Sequence, residues 1–131
     1  MNVTKKELAT ATRILARHGL IGQAGHVSFY PGSGSRYLLS PAAGFRKDLC
    51  RERDVWDLDF EDDWKMGIPL ELHMHSEAHR ALPNVGSVVH VHSPALTQLS
   101  ILAEPPGQAL TFFSGFWPDP LPVYGLSLIH I

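Results

Sequence analysis

The stretch VVHVHS, residues 88–93, constrains this chain more than any other. Val88, Val89 and Val91 are β-branched and favour extended backbone. On a strand, side chains two apart leave the same face, so His90 and His92 would stand side by side. Two imidazoles on an otherwise apolar strand each need a polar partner, and one shared cation satisfies both. Imidazole nitrogen suits divalent zinc, manganese or iron. The plainer alternative is one satisfied core histidine and one that faces solvent. Either way two ligands are too few, because a catalytic site takes three protein ligands and keeps one position open. Five of the eight histidines (His73, His75, His79, His90 and His92) fall within residues 73–92, so the search for partners begins there.

The order of elements follows from local signals. Thr4 and Glu7 have the spacing of a capping box, with Val3 and Leu8 at the staple positions. Leu8, Ala11, Leu15 and His18 then repeat at helical spacing, Ile14 widens the stripe, and Gly19 is a stop signal. Gly19, Gly22 and Gly25 are spaced by threes but precede a strand, the wrong order for a dinucleotide fingerprint. Val27–Tyr30 and Tyr37–Ser40 flank the turn PGSGS and predict a hairpin. Residues 40–49 read as a loop, Val55–Phe60 as a half-buried strand and 62–69 as a connection. Leu70–Leu82 predicts a helix with Leu72, His75, Ala78 and Leu82 on one face, ended by Pro83-Asn84. Gly86–His92 is the strand of the two histidines. Ser93-Pro94 then opens a helix over Ala95–Ala103, while residues 108–124 fit strand or loop equally. The mixture predicts an α/β domain with a partly antiparallel sheet.

Bulk properties remove several function classes. One domain accounts for 131 residues. A net charge of -2 without a basic run argues against nucleic acid and anionic membrane as partners. Cys50 is the single cysteine, which excludes an internal disulfide and fits a reducing compartment. No apolar run has the length of a signal peptide or a membrane span, so a cytoplasmic protein is expected.

Glu71 heads the helix before the H-x-H strand, where an acidic side chain also serves the helix dipole. His75 lies one turn on, on the same face, and reads as a packing or orienting residue. His73 and His79 read as surface or packing positions.

Together these residues resemble a known family. PLELHMHSEAHRALPNVGSVVHVHSP (69–94) is similar to the signature of the class II aldolase/adducin family: a helix-opening glutamate, a histidine one turn later, then an H-x-H strand. The separation from Glu71 to His90 is 19 residues, as expected there. HGLIGQAGHVSFY resembles the family's glycine loop, YLLSPAAG its second loop, and DVWDLDFEDDW the strand before the glutamate. The likeness covers residues 7–103. It implies a three-layer α/β/α sandwich around a mostly antiparallel mixed sheet. It implies Glu71 as the acid/base and His90 and His92 as two of three ligands to one divalent ion, zinc first, manganese or iron otherwise. Gly25, His26, Ser40 and Gly44 would line the substrate. The implied activity is aldol cleavage or decarboxylation through a metal-stabilised enediolate, in a homotetramer with sites at subunit interfaces. The rival readings are a non-catalytic adducin-like interaction module and a histidine-rich metal-storage domain.

Two departures from the family pattern carry expectations. Phosphate-binding hydroxyl and amide residues are replaced by Gln23 and His26 in the glycine loop and by Pro69 and Leu70 before the glutamate. Proline lacks an N–H and leucine has no polar group, which points to a non-phosphorylated hydroxy or keto acid, with His26 and Arg46 near its carboxylate. The second departure is the end of the chain. Past His92 only His130 remains, within GLSLIHI, and LSLIHI is the translation of the transposon adaptor CTGTCTCTTATACACATC. Residues 1–125 therefore read as a truncated domain, incomplete at its C-terminus, and 126–131 as a non-native tail, with the third histidine ligand further downstream. Sequencing the locus from intact genomic DNA is expected to show a reading frame that continues past Gly125 and supplies another histidine; a native stop codon after Ile131 overturns this.

Overall fold

The computed structural model describes residues 3–94. The elements are helix α1 (Lys5–Arg17), strands β1 (His26–Phe29), β2 (Arg36–Leu39) and β3 (Trp56–Asp59), helix α2 (Leu72–Ala81) and strand β4 (Ser87–His90). Two 3-10 turns, Lys47–Leu49 and Glu52–Asp54, lie between β2 and β3. The expected helix 95–103, the segment 108–124 and the tail 126–131 lie outside the described residues.

Helix α1 starts as its sequence predicts. The Thr4 hydroxyl accepts from the Glu7 N–H at 3.3 Å, and the Glu7 carboxylate accepts from the Thr4 N–H at 2.7 Å. Gly19, beyond the C-cap His18, has φ +69 and ends the helix. Its buried face differs from the expected stripe. Leu8, Ala9 and Thr12 are buried, while Ile14 and His18 are exposed. Thr12 is admitted because its hydroxyl donates to the Leu8 carbonyl at 2.8 Å and so needs no solvent.

The four strands form one sheet in the order β3-β2-β1-β4, and every pairing in it is antiparallel. Strand alternation divides the core in two. Val27 and Phe29 pack with Leu8, Ala9, Cys50 and Val55 on the α1 side. Tyr30, Tyr37, Leu39 and Leu58 pack with Ile68 and Leu72 of the α2 side. Leu39 and Leu72 are almost wholly buried, and each contributes roughly 1.5–3 kcal/mol. Strand β4 is only half-buried, with Val89 exposed, so its valines reflect β-propensity more than core position. No helix among the described residues is long and apolar enough to cross a membrane.

The loop after β2 is tied to the glycine loop before β1. Ser40 N–H donates to the Val27 carbonyl, and the Ser40 hydroxyl accepts from the Val27 N–H, both at 2.9 Å. Gly44 N–H donates to the Gln23 side chain at 3.1 Å. The buried Lys47 ammonium donates to the carbonyls of Gln23 (3.2 Å) and Gly25 (2.5 Å). Gly25 itself is wedged: its φ is +87, and a Cβ there would lie 2.8 Å from the His90 carbonyl oxygen and 2.9 Å from Ile21. Gly25→Ala is therefore expected to destabilise the chain by more than about 2 kcal/mol in urea unfolding, the combined cost of strained backbone and overpacking. Gly22→Ala, with open space around it, should stay within about 1 kcal/mol; equal effects at the two positions would refute the wedge.

Candidate metal centre

The sheet register builds the site. In the β1–β4 ladder His26 lies directly opposite His90. Cross-strand partners share a face, and their ring centroids are 5.2 Å apart. That face looks toward α2, whose N-cap is Glu71. The Glu71 side chain makes no capping hydrogen bond. Its carboxylate oxygen Oε2 lies 3.5 Å from His26 Nε2 instead. The carboxylate thus turns toward His26 rather than capping the helix by a hydrogen bond.

One nitrogen each from His26 and His90 and one oxygen from Glu71 lie within 4.8 Å of one another. Neighbouring ligands around tetrahedral zinc are about 3.4 Å apart, so a closure of about 1 Å or slightly more brings all three into coordination range. The donor set, two imidazoles and a carboxylate, is one that zinc, manganese and iron accept. The buried atoms His26 Nδ1 and His90 Nδ1 have no hydrogen-bond partner, as expected where polar groups are arranged for something other than the fold. The residues present fit a divalent ion.

His92 stands beside this set. Its ring is 4.7 Å from that of His90, so the two histidines are neighbours as their spacing predicts. Yet β4 ends at His90, and His92 lies beyond it on backbone whose N–H donates to the Leu20 carbonyl at 3.0 Å. The three-membered set found among the described residues contains His26 in its place. Of the other expected substrate residues, Gly25 precedes His26 directly, while Ser40 and Gly44 hold the two loops together through the bonds given above. Arg46 is exposed and pairs with Asp48 at 2.6 Å.

Behind the centre runs a buried polar chain. The Ser28 hydroxyl lies 2.8 Å from His75 Nδ1 and 2.8 Å from His79 Nε2. His79 Nδ1 lies 3.2 Å from the Val85 carbonyl. All three side chains are fully enclosed. His79, expected as a surface or packing residue, thus packs inside, while Leu82, expected on the inner face, is exposed. Burial pushes these imidazoles toward the neutral form. His26 is lowered to about 3, by burial first and then by the Lys47 charge and the neighbouring histidines. His75 is lowered to about 4, by burial and then by His79 and His90. Burial likewise lowers His79 and His90. Lys47 is lowered to about 8 by burial, opposed by the negative charge of Glu71. No motif in the sequence singles out Lys47 or Ser28. Ser28 could have been suspected from its place between apolar neighbours on a strand, where a hydroxyl needs a partner.

Comparison with known proteins gives a consistent result. Residues 6–124 match the model of the "Class II Aldolase and Adducin N-terminal domain" family. The chain is 33% identical over 109 residues to a 5-methylthioribulose-1-phosphate/5-deoxyribulose-1-phosphate aldolase of Rhodospirillum rubrum, covering 72% of this chain and 48% of that protein. Its structure is similar to that of L-fuculose 1-phosphate aldolase from Glaciozyma antarctica, with TM-score 0.64, 27% identity, and 77% and 44% of the two chains covered. L-fuculose-1-phosphate aldolase from Thermus thermophilus shares the fold, with TM-score 0.61, 24% identity, and 74% and 51% covered. The chain spans about half the length of these relatives.

The lowered histidines set a pH dependence for the metal-free chain. Between pH 6.5 and about 4 the unfolded chain takes up protons at His26 and His75 that the folded chain refuses. Stability is therefore full above pH 6.5 and falls as the pH drops, by up to ~1.4 kcal/mol per pH unit for each group. Urea midpoints measured from pH 7.5 to 4.5 should fall steeply, and His75→Gln should flatten the slope; a level profile for the unaltered chain overturns the assignment.

Proposed function

The chain belongs to the class II aldolase and adducin N-terminal domain family, and on that footing we propose that it is part of a metal-dependent carbon–carbon lyase. The observation that carries this reading is the convergence of Glu71 with His26 and His90 across three elements that are distant in sequence. A divalent ion held by these residues would supply positive charge for the negative charge that develops on substrate oxygen as a carbon–carbon bond breaks. In this reading His90 and His92, whose rings are 4.7 Å apart, would hold the ion, with His26 and Glu71 at its other side. Glu71 moves the proton: its carboxylate is one-fifth exposed, open to substrate on one side and backed by His26 on the other. Lys47 fixes the glycine loop that delivers His26, through the carbonyls of Gln23 and Gly25.

The substrate in this proposal is a hydroxy or keto acid without phosphate, split by aldol cleavage or decarboxylation. The named relatives are sugar-phosphate aldolases, and the support for a different substrate is local. Pro69 has no N–H, Leu70 is apolar, and the Gly44 N–H is already committed to Gln23. Arg46, held by Asp48, drops out as the carboxylate's partner. Zinc is the first choice of ion, because two imidazoles and a carboxylate with an open position suit it. The three-layer sandwich and a cytoplasmic homotetramer complete the reading; α1 and α2, packed against different faces of one antiparallel sheet, support the layering.

Glu71→Gln in the complete natural protein should lower turnover by roughly 10²–10⁴-fold. The assay follows carbonyl product and carbon dioxide from a panel of hydroxy and keto acids alongside sugar 1-phosphates. Undiminished turnover in the variant overturns the role of Glu71, and a clear preference for the phosphorylated sugars overturns the substrate class.

A further inference from the structure

We propose that His26 is the positioning residue of Glu71: its Nε2–H holds carboxylate oxygen Oε2 and so presents the other oxygen, Oε1, to the substrate. This rests on the reading above that Glu71 moves the proton, and it gives His26 a role beside the ion without adding it to the ligands.

The Glu71 side chain has no anchor on its own helix, since it makes no capping hydrogen bond. Its main-chain carbonyl accepts from the Met74 N–H at 3.0 Å and the His75 N–H at 3.4 Å. The backbone there is thus fixed while the carboxylate is not. The group that meets the carboxylate is His26, whose Nε2 lies 3.5 Å from Oε2. An ionised carboxylate only accepts hydrogen bonds. A bare Nε2 would set a lone pair against that oxygen, so the geometry calls for a hydrogen on Nε2, in a neutral and in a charged ring alike. The contact is long for a finished hydrogen bond, as catalytic contacts are before substrate tightens them. His26 is also built to stay in place. It is buried, opens β1 and pairs with His90 across the ladder. It follows Gly25, whose carbonyl accepts from the Lys47 ammonium. A fixed ring therefore faces a carboxylate on a long side chain, and the ring sets where the carboxylate lies.

The arrangement suits a proton carrier. A neutral donor, the form toward which burial drives His26, gives the carboxylate a charge-assisted hydrogen bond without locking it in an ion pair. Oε1 then stays available to take up and release the proton, on a side chain that is one-fifth exposed. With a hydrogen on Nε2, His26 turns no lone pair from that atom to the ion. It lies within 4.8 Å of the Glu71 and His90 donor atoms as a neighbour. His90 and His92 keep the ligating role that the H-x-H motif gives them.

Tautomer, zinc affinity and turnover test this together. Two-bond ¹H–¹⁵N spectra of the full chain with ¹⁵N histidine should show His26 protonated on Nε2 before and after zinc is added, with zinc-dependent shifts at His90 and His92. In Glu71→Ala, which removes the acceptor, His26 should become a mixture of tautomers. Chelator competition should leave His26→Leu within about threefold of the unaltered chain, below the roughly 10–100-fold that losing even an outer partner costs. In the complete natural protein, His26→Leu should lower kcat and kcat/KM together by roughly a hundredfold, the cost of a misplaced catalytic group, and His26→Gln, which keeps an N–H within reach, should recover most of it. A purely structural role would lower the urea midpoints of both variants and leave the His26 tautomer of Glu71→Ala unchanged. If zinc shifts His26 Nε2, if His26 carries its hydrogen on Nδ1, or if Glu71→Ala leaves the tautomer as it was, the inference falls and the lyase reading stands. If zinc shifts no histidine and the complete protein cleaves nothing in the substrate panel, both fall.

Discussion

The β1–β4 register is the constraint on which the centre depends. It sets His26 opposite His90 and Val27 opposite Val89. Side chains alternate across a sheet, so a slip of one residue would send His90 to the face where Val27 and Phe29 pack under α1. Several contacts oppose that slip. Gly25 lies against the His90 carbonyl with no room for a Cβ. At the other end Tyr30 N–H donates to the Gly86 carbonyl at 2.8 Å. From the α2 side Ser28 is held by two histidines. Each of these serves the fold first, and the pairing of the two imidazoles follows from them.

Polar burial on the α2 side is therefore selective. An unpaired buried polar group costs about 1–3 kcal/mol, so Ser28, His75 and His79 satisfy one another as far as their hydrogens allow. Among the described residues, the bare buried atoms other than the Tyr37 hydroxyl are on His26, His75 and His90. Those three belong to neighbouring rings rather than being scattered through the core. Their clustering, rather than scatter, is the feature that calls for an explanation beyond packing.

Much of this was legible in the sequence, and the gaps have physical causes. The capping box, the hairpin, the α2 start and the H-x-H strand rest on local signals, and each element stands close to its expected place. Glu71 and His90 come together as the family spacing implies. The partnership of His26 with His90 was not legible, because pairing across more than sixty residues is decided by tertiary packing and not by either segment alone. The segment GQAGHVSFY places His26 in the glycine loop, and the sheet register adds that it faces His90. The burial of Thr12 and the choice of packing over surface for His79 have one shared cause. A polar side chain enters a core once a partner is within reach, and hydrophobic periodicity does not see partners.

Lys47 shows how charge completes the design. A buried ammonium is costly unless its hydrogens and its charge are both answered. Two loop carbonyls answer the hydrogens, and the negative charge of Glu71 acts on the ammonium from across the site. With the histidines held toward the neutral form, Lys47 and Glu71 are the two opposed charges here among the described residues. A divalent ion added to this region would leave it positive and suited to an anion. The geometry and the electrostatics thus agree on one point: a neutral imidazole cluster with a carboxylate and a buried ammonium at its edge can hold a divalent cation and draw an anion to it.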